Sequence, residues 1–196
     1  MTINLKNFLN TKPKLSKMGE FQELKPIDGL EISSFSADLY KNGRDDLALF
    51  YFKDGANYAA MYTSNSIVSQ TIEWNKKSNK SFTKALLVNT KNANTFTGDQ
   101  GVEGVDLVAK NLSRILTLRE SKSDQGVSET VKMKELIFAS TGVIGEKFPA
   151  ENIVSSLQPL VDKLRDDHNK LIWIKTASAI MTTDTKPKVA YEEIVV

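Results

Sequence analysis

Three short stretches of the chain set small hydroxyl, amide and glycine residues directly after an apolar run. They are Val88-Asn89-Thr90-Lys91-Asn92-Ala93-Asn94-Thr95-Phe96-Thr97-Gly98, Ser140-Thr141-Gly142 after Leu136-Ile137-Phe138-Ala139, and Ile180-Met181-Thr182-Thr183-Asp184-Thr185. Taken singly, each is what a turn uses, because Asn, Thr, Asp and Gly suit turn conformations. Three strand-like segments ending this way could, placed side by side, line one polar pocket. Thr141-Gly142 carries the most specific chemistry. Acyl transfer passes through a tetrahedral oxyanion, and donors fixed on that oxygen lower the barrier by a few kcal/mol. A threonine hydroxyl and a glycine N–H make a compact donor pair, and glycine has no Cβ to block the approach. An oxyanion hole also needs a nucleophile, which these residues do not offer. They amount to half a site.

Composition removes several other chemistries. The 196 residues include no cysteine, which excludes disulfides, iron–sulfur clusters and thiolate catalysis. The single histidine, His168, lies in the charged run Arg165-Asp166-Asp167-His168-Asn169-Lys170 and reads as a solvated surface residue. That argues against a serine–histidine–acid triad and against a histidine-rich metal site. Gly98-Asp99-Gln100-Gly101-Val102-Glu103-Gly104 matches neither the Walker loop nor the dinucleotide fingerprint, and Asp99, Glu103 and Asp106 would repel phosphate. It reads as a turn entering a helix. The formal charge is +2, from 26 basic and 24 acidic side chains, which argues against nucleic acid as a partner. Lysines near 6–26, 75–91 and 132–134 read as solvated faces. The first twenty residues lack the apolar core of a secretory signal, and no window approaches ~20 consecutive apolar residues. The expectation is a soluble, cytoplasmic domain with no membrane partner.

These clusters need elements to hold them. Residues 32–40 and 46–52 read as strands, with Asn42-Gly43 as the hairpin signal between them. Residues 54–63 supply a further turn and strand, and 84–90 is a short run of the buried-strand kind. Val105, Val108, Leu112, Ile115 and Leu116 then recur at helical spacing, which predicts an amphipathic helix over 102–118. A polar loop at 121–129 and a strand at 135–140 follow. Pro149 at a first helical position and Glu151 in the first turn mark a second helix, with Ile153, Leu157, Leu160, Val161 and Leu164 as its stripe. The apolar run 171–181 and the strand-like end 188–196 complete the pattern. Residues 1–27 form a polar lead-in and 28–196 the domain. Strands first, then strands alternating with helices, is an α+β arrangement with helices packed on a sheet.

At the three polar clusters the sequence resembles the glutamate N-acetyltransferase (ornithine acetyltransferase) family of arginine biosynthesis. The matching stretches are Ser140-Thr141-Gly142-Val143-Ile144-Gly145, Ala179-Ile180-Met181-Thr182-Thr183-Asp184-Thr185 with Pro187-Lys188, and Val88 to Asn94 with Thr97-Gly98. Arg44-Asp45-Asp46-Leu47-Ala48-Leu49 and Tyr62-Thr63-Ser64-Asn65 match more weakly, and the similarity runs from about Gly29 to the end. The resemblance implies a layered α/β/β/α sandwich and a self-processing N-terminal-nucleophile enzyme. In that family a precursor cuts itself before a threonine, and this new N-terminus of the β chain carries the acetyl group from N2-acetyl-L-ornithine to L-glutamate. Some members also take acetyl-CoA as donor; no other cofactor and no metal is implied. By this resemblance Thr141 and Gly142 fall on the oxyanion pair and Thr182 on a substrate-contacting threonine, in an α chain whose partner is its own β chain, as α2β2.

An N-terminal threonine brings its own base, since an α-amino group titrates at about 7.7–8.0. No histidine is then required. The family's substrate lysine and its Ala-Thr cleavage site would lie beyond Val196. Lys91 stands where the family usually has glycine, Thr90 where it has serine, and Ser64 where threonine is frequent. Lys91 is expected to point to solvent, and Asp184 to cap the Thr182-Thr183 turn. Two other readings stay open on the residues alone: an N-terminal-nucleophile aminopeptidase or amidohydrolase subunit, and a non-catalytic scaffold module.

Overall fold

The structure is a computed structural model that describes residues 24–78, 81–123 and 130–192. Four strands form one sheet in the order β1-β2-β3-β4. β1 (Leu30–Phe35) and β2 (Leu47–Asn57) are antiparallel, with Leu30 opposite Phe52 and Phe35 opposite Leu47. β3 (Phe82–Asn89) runs antiparallel to β2, and β4 (Leu136–Ser140) runs parallel to β3, pairing Ala85 with Leu136 and Asn89 with Ser140. A parallel pair needs a long crossover. Helix α2 (Gly98–Ser123) supplies it, preceded by α1 (Gln70–Lys77) and followed by α3 (Ala150–Asp162) and α4 (Lys170–Ala179).

The two periodicities meet in one core. Leu47, Leu49 and Tyr51 alternate on β2 beside Ala85 and Leu87 on β3 and Leu136 and Phe138 on β4. Against them pack Val105, Val108, Leu112 and Leu116 of α2 and Ile153, Leu157 and Leu160 of α3. The helical stripes foreseen from spacing are therefore the buried ones. α2 is longer at both ends than the predicted 102–118, and α3 starts just after Pro149. The opposite sheet face carries Phe50, Leu86, Val88 and Ile137, all half-buried.

Several expectations are corrected. The strand expected at 54–63 is instead the tail of β2, which shifts register between Tyr51 and Ala56 and ends at Asn57. Residues 58–69 leave the sheet and lead into α1, an element the periodicity does not reveal because Thr71 is its only buried residue. α1 belongs to the edge of β4: the Trp74 indole donates to the Leu136 carbonyl at 3.0 Å, and the Asn75 amide brackets the Phe138 peptide at 2.7 and 2.9 Å.

The apolar run 171–181 is a helix rather than a strand. Asn169 starts it, its side-chain oxygen accepting from the N–H groups of Leu171 and Ile172 at 3.0 and 3.1 Å. His168 is likewise not a surface residue: only 2% exposed, it accepts the Ile27 N–H at 3.4 Å and sets its ring edge-on to Trp173 at 5.5 Å. The charged neighbours point outward while the imidazole folds beneath α4. Residues 188–192 form no strand, and 193–196 lie outside the described residues, as do residues 1–23 of the lead-in.

Candidate functional site

The site grows from the ends of β3 and β4. There the Ser140 hydroxyl donates to the Asn89 side-chain oxygen at 2.6 Å, and the Asn89 amide donates onward to the Asn92 carbonyl at 3.0 Å. Pairing then continues beyond the strands as an irregular ladder. The Thr141 N–H reaches the Asn89 carbonyl at 3.1 Å, Val143 reaches Lys91 at 2.9 Å, Ala93 reaches Val143 at 2.9 Å and Gly145 reaches Thr95 at 2.8 Å. The first two polar clusters are thus zipped together along their length.

Gly142 lies where the two loops touch. Its φ is +139°, and a Cβ built there would stand 2.2 Å from the Lys91 carbonyl carbon and 2.3 Å from its oxygen. Only glycine fits this approach. Thr141 is half-buried and Gly142 exposed. Among the described residues neither the Thr141 hydroxyl nor the Gly142 N–H has a hydrogen-bond partner. The pair of donors is therefore free on a rigid, backbone-paired loop.

The asparagines do different work from the pocket lining expected of them. Asn92, 2% exposed, donates to the carbonyls of Glu146 and Lys147 at 3.0 and 3.2 Å and accepts the Asn94 N–H at 2.7 Å. Asn94, fully buried, accepts from the Thr97 hydroxyl at 2.7 Å and donates to Gly101 at 3.3 Å. They scaffold the loops and the start of α2. The glycine-rich entry to α2 is also structural: a Cβ on Gly104 would stand 2.6 Å from the Phe148 ring. The stretch read as a turn entering a helix is the beginning of the helix itself.

The third cluster is brought over by a loop that the motif reading ranked low. Arg44 donates from Nη2 to the carbonyls of Ser178 and Met181 at 3.1 and 2.7 Å, gripping the C-terminal end of α4 directly before half-buried Thr182. Asp45 accepts the Ser34 hydroxyl at 2.6 Å and pairs with Lys175 at 3.2 Å. The Asp46 carboxylate, fully buried, accepts the N–H groups of Ala37 and Leu39 at 2.7 and 2.8 Å. Burial raises its pKa above the usual carboxylate value, against the lowering effect of those two donors. The Asp46 carbonyl receives both the N–H and the hydroxyl of Thr90, at 3.0 and 3.2 Å. Residues 36–46 therefore tie the turn at Thr182 to the Thr90-Lys91 loop, and all three clusters gather at one end of the sheet. Asp184 forms an ion pair with Lys188. Arg44 and Asp46 lie in a stretch that matches the family only weakly, and spacing gave them no role. The signal was the triplet Arg44-Asp45-Asp46 standing just ahead of a buried strand.

Among the described residues no group of three or more His, Asp or Glu side chains could hold a metal ion, and no helix is long and apolar enough to cross a membrane.

A profile described as the ArgJ family matches residues 31–196, from β1 onward. The chain belongs to the ArgJ family. An arginine biosynthesis bifunctional protein ArgJ from Caulobacter vibrioides is 32% identical over 180 residues, which are 90% of this chain and 40% of that protein. The Gluconobacter oxydans ArgJ protein is 32% identical over 173 residues, covering 88% of this chain and 37% of its own length. The chain thus spans about 40% of the length of the curated ArgJ relatives it matches. In three dimensions it is similar to an ornithine acetyltransferase from Mycobacterium tuberculosis solved with ornithine: TM-score 0.71, 23% identity, covering 84% of this chain and 83% of that one. The layered α+β fold expected from the sequence is therefore the ArgJ fold.

Proposed function

We propose that this chain is the α part of an ArgJ acetyltransferase, with Thr141 and Gly142 as its oxyanion donors and Thr182 against the substrate. The observation that carries the reading is the free donor pair at the end of β4, a hydroxyl and an N–H with no partner among the described residues. Two further facts support it. The solved chain it resembles has similar coverage in both directions, 84% and 83%, while the curated relatives are much longer. The second sheet face of Phe50, Leu86, Val88 and Ile137 is apolar yet only half-buried, which suits a further layer in an α/β/β/α sandwich.

On this reading the domain is completed by a β chain whose N-terminal threonine is the nucleophile, assembled as α2β2 in the cytoplasm. The threonine hydroxyl attacks the acetyl carbonyl of N2-acetyl-L-ornithine, and its proton passes to the threonine's own α-amine. The carbonyl oxygen becomes an anion facing the Thr141 hydroxyl and the Gly142 N–H. Collapse expels ornithine, whose amine leaves with a proton, and an acetyl-threonine ester remains. The amine of L-glutamate then attacks the ester, giving N-acetylglutamate and the free threonine, a step of arginine biosynthesis. Acetyl-CoA could load the same threonine, releasing CoA thiol.

The test is acetylornithine-dependent acetylation of glutamate by the purified enzyme, with intact mass and N-terminal sequencing of each polypeptide present. Thr141→Ala is expected to lower kcat roughly 10²-fold or more, as loss of one oxyanion donor does. Unchanged turnover would remove Thr141 from the site. Free acetate released without glutamate would favour the hydrolase reading.

A further inference from the structure

The chain places a lysine where the backbone disfavours one. Lys91 has φ +73°, in the left-handed region that costs a non-glycine residue roughly 1–2 kcal/mol, and its own carbonyl is the atom pressed under Gly142. Strain of this kind persists where the surroundings enforce it, commonly beside a working site. The side chain does not run out to solvent, as its setting in a polar loop suggests. Lys91 is half-buried, with Nζ 5.8 Å from the centroid of the Tyr40 ring. The Arg44 guanidinium stands over the same ring at 4.4 Å. Two cations thus share one aromatic ring, between the oxyanion donors on one side and the Met181-Thr182 turn on the other.

Neither cation is neutralised by the acids nearest in sequence. The Asp45 carboxylate is engaged by Ser34 and Lys175, and Asp46 is turned inward to Ala37 and Leu39. Arg44 directs both Nη2 donors to carbonyls rather than to a carboxylate. Lys91 has no carboxylate partner among the described residues. The ammonium of this half-buried lysine shares a ring with a second cation and has no carboxylate partner, so a bound anion would supply the missing counter-ion.

We propose that Lys91 is a specificity-determining residue whose ammonium, steadied on Tyr40, binds a carboxylate of the substrate, with Arg44 as the positioning residue that holds the Thr182 turn. This rests on the acetyltransferase reading, in which both the donor and glutamate carry a carboxylate. The interaction is present in ground state and transition state alike, so its loss acts on KM rather than on kcat.

Steady-state kinetics of the purified enzyme should be compared for wild type, Lys91→Met, Lys91→Gly and Lys91→Arg, at low and high salt. Both charge-removing variants are expected to raise KM about tenfold, the scale of one charge-assisted hydrogen bond, with kcat held within about twofold. Lys91→Arg should keep most of the affinity. The KM of wild type should rise with ionic strength, and that of the two neutral variants should not. A rise for glutamate alone would identify its side-chain carboxylate; a rise for acetylornithine as well would identify the α-carboxylate. Lys91→Gly guards against a folding artefact, because glycine suits φ +73° and removes the same charge. KM unmoved in both neutral variants, or raised in Lys91→Met but not in Lys91→Gly, would overturn the assignment. A wild type that moves no acetyl group at all would instead overturn the acetyltransferase reading beneath it.

Discussion

The contact between Gly142 and the Lys91 backbone yields the sharpest prediction. In Gly142→Ala the new methyl would stand 2.2 Å from the Lys91 carbonyl carbon, 2.3 Å from its oxygen and 2.6 Å from the Asn92 nitrogen. All three atoms are backbone, so no side chain can swing aside. The loops cannot drift apart cheaply either, because the Thr141 and Val143 N–H groups flank the contact with bonds of 3.1 and 2.9 Å to Asn89 and Lys91. Overpacking of this kind costs about 1–3 kcal/mol. Forcing alanine to φ +139° adds about 1–3 kcal/mol more. The total, about 2–6 kcal/mol, should lower Tm by roughly 4–24 °C for a chain of this size. Gly145→Ala is the control. Gly145 has φ +82° with nothing within 4 Å of a built Cβ, so alanine there bears only the backbone cost of about 1–2 kcal/mol. Thermal melts of the two variants side by side should place Gly142→Ala at least about 1 kcal/mol below Gly145→Ala. Equal melts, or a milder effect at 142, would refute the close approach of the two loops.

Other perturbations test the scaffold around that contact. Asn92→Ala removes an amide that serves Glu146, Lys147 and Asn94 at once and should cost about 2–4 kcal/mol in denaturant titration. Leu112→Ala, at a fully buried position of α2, should cost about 2–5 kcal/mol with little change in KM for either substrate. Arg44→Ala should raise KM and leave the sheet intact by circular dichroism, since its two bonds go to the end of α4 rather than to the core. Asp46 makes a prediction about pH. Its folded pKa is raised above 3.8, so the folded state holds the proton more tightly than the unfolded chain. That contribution to stability is complete below the unfolded value and is lost as pH rises through the folded one. The stability of wild type relative to Asp46→Asn should therefore fall from acid toward neutral pH; a difference that grows instead would mean that the Ala37 and Leu39 donors outweigh burial.

What could be read from the chain follows from which signals are local. The stripe of Val105, Val108, Leu112 and Leu116 is local, and so is the apolar alternation of β2, because burial of one face imposes its period on the residues themselves. Thr141-Gly142 was legible for the same reason: a strand end carrying a hydroxyl and a glycine is a statement made by adjacent residues. α1 was not legible, because it is held by Trp74 and Asn75 reaching the backbone of β4, more than sixty residues away, with no apolar stripe of its own. The segment of α4 reads as strand-like, since an apolar run of that length fits either state and only the Asn169 cap marks it as a helix.

The sequence alone determined the element types with a strong period, the lack of any cysteine in these 196 residues and the family of the three polar clusters. Tertiary structure decided that these clusters share one end of the sheet, that Gly142 is a steric necessity, that His168 is buried, and that Lys91 lies on Tyr40 beside Arg44. The physical reason is range. Periodicity and capping act within a turn or two of chain. The fit of Gly142 against Lys91, and of Arg44 against Met181, exists only once the sheet register and the α2 crossover have brought distant backbone together.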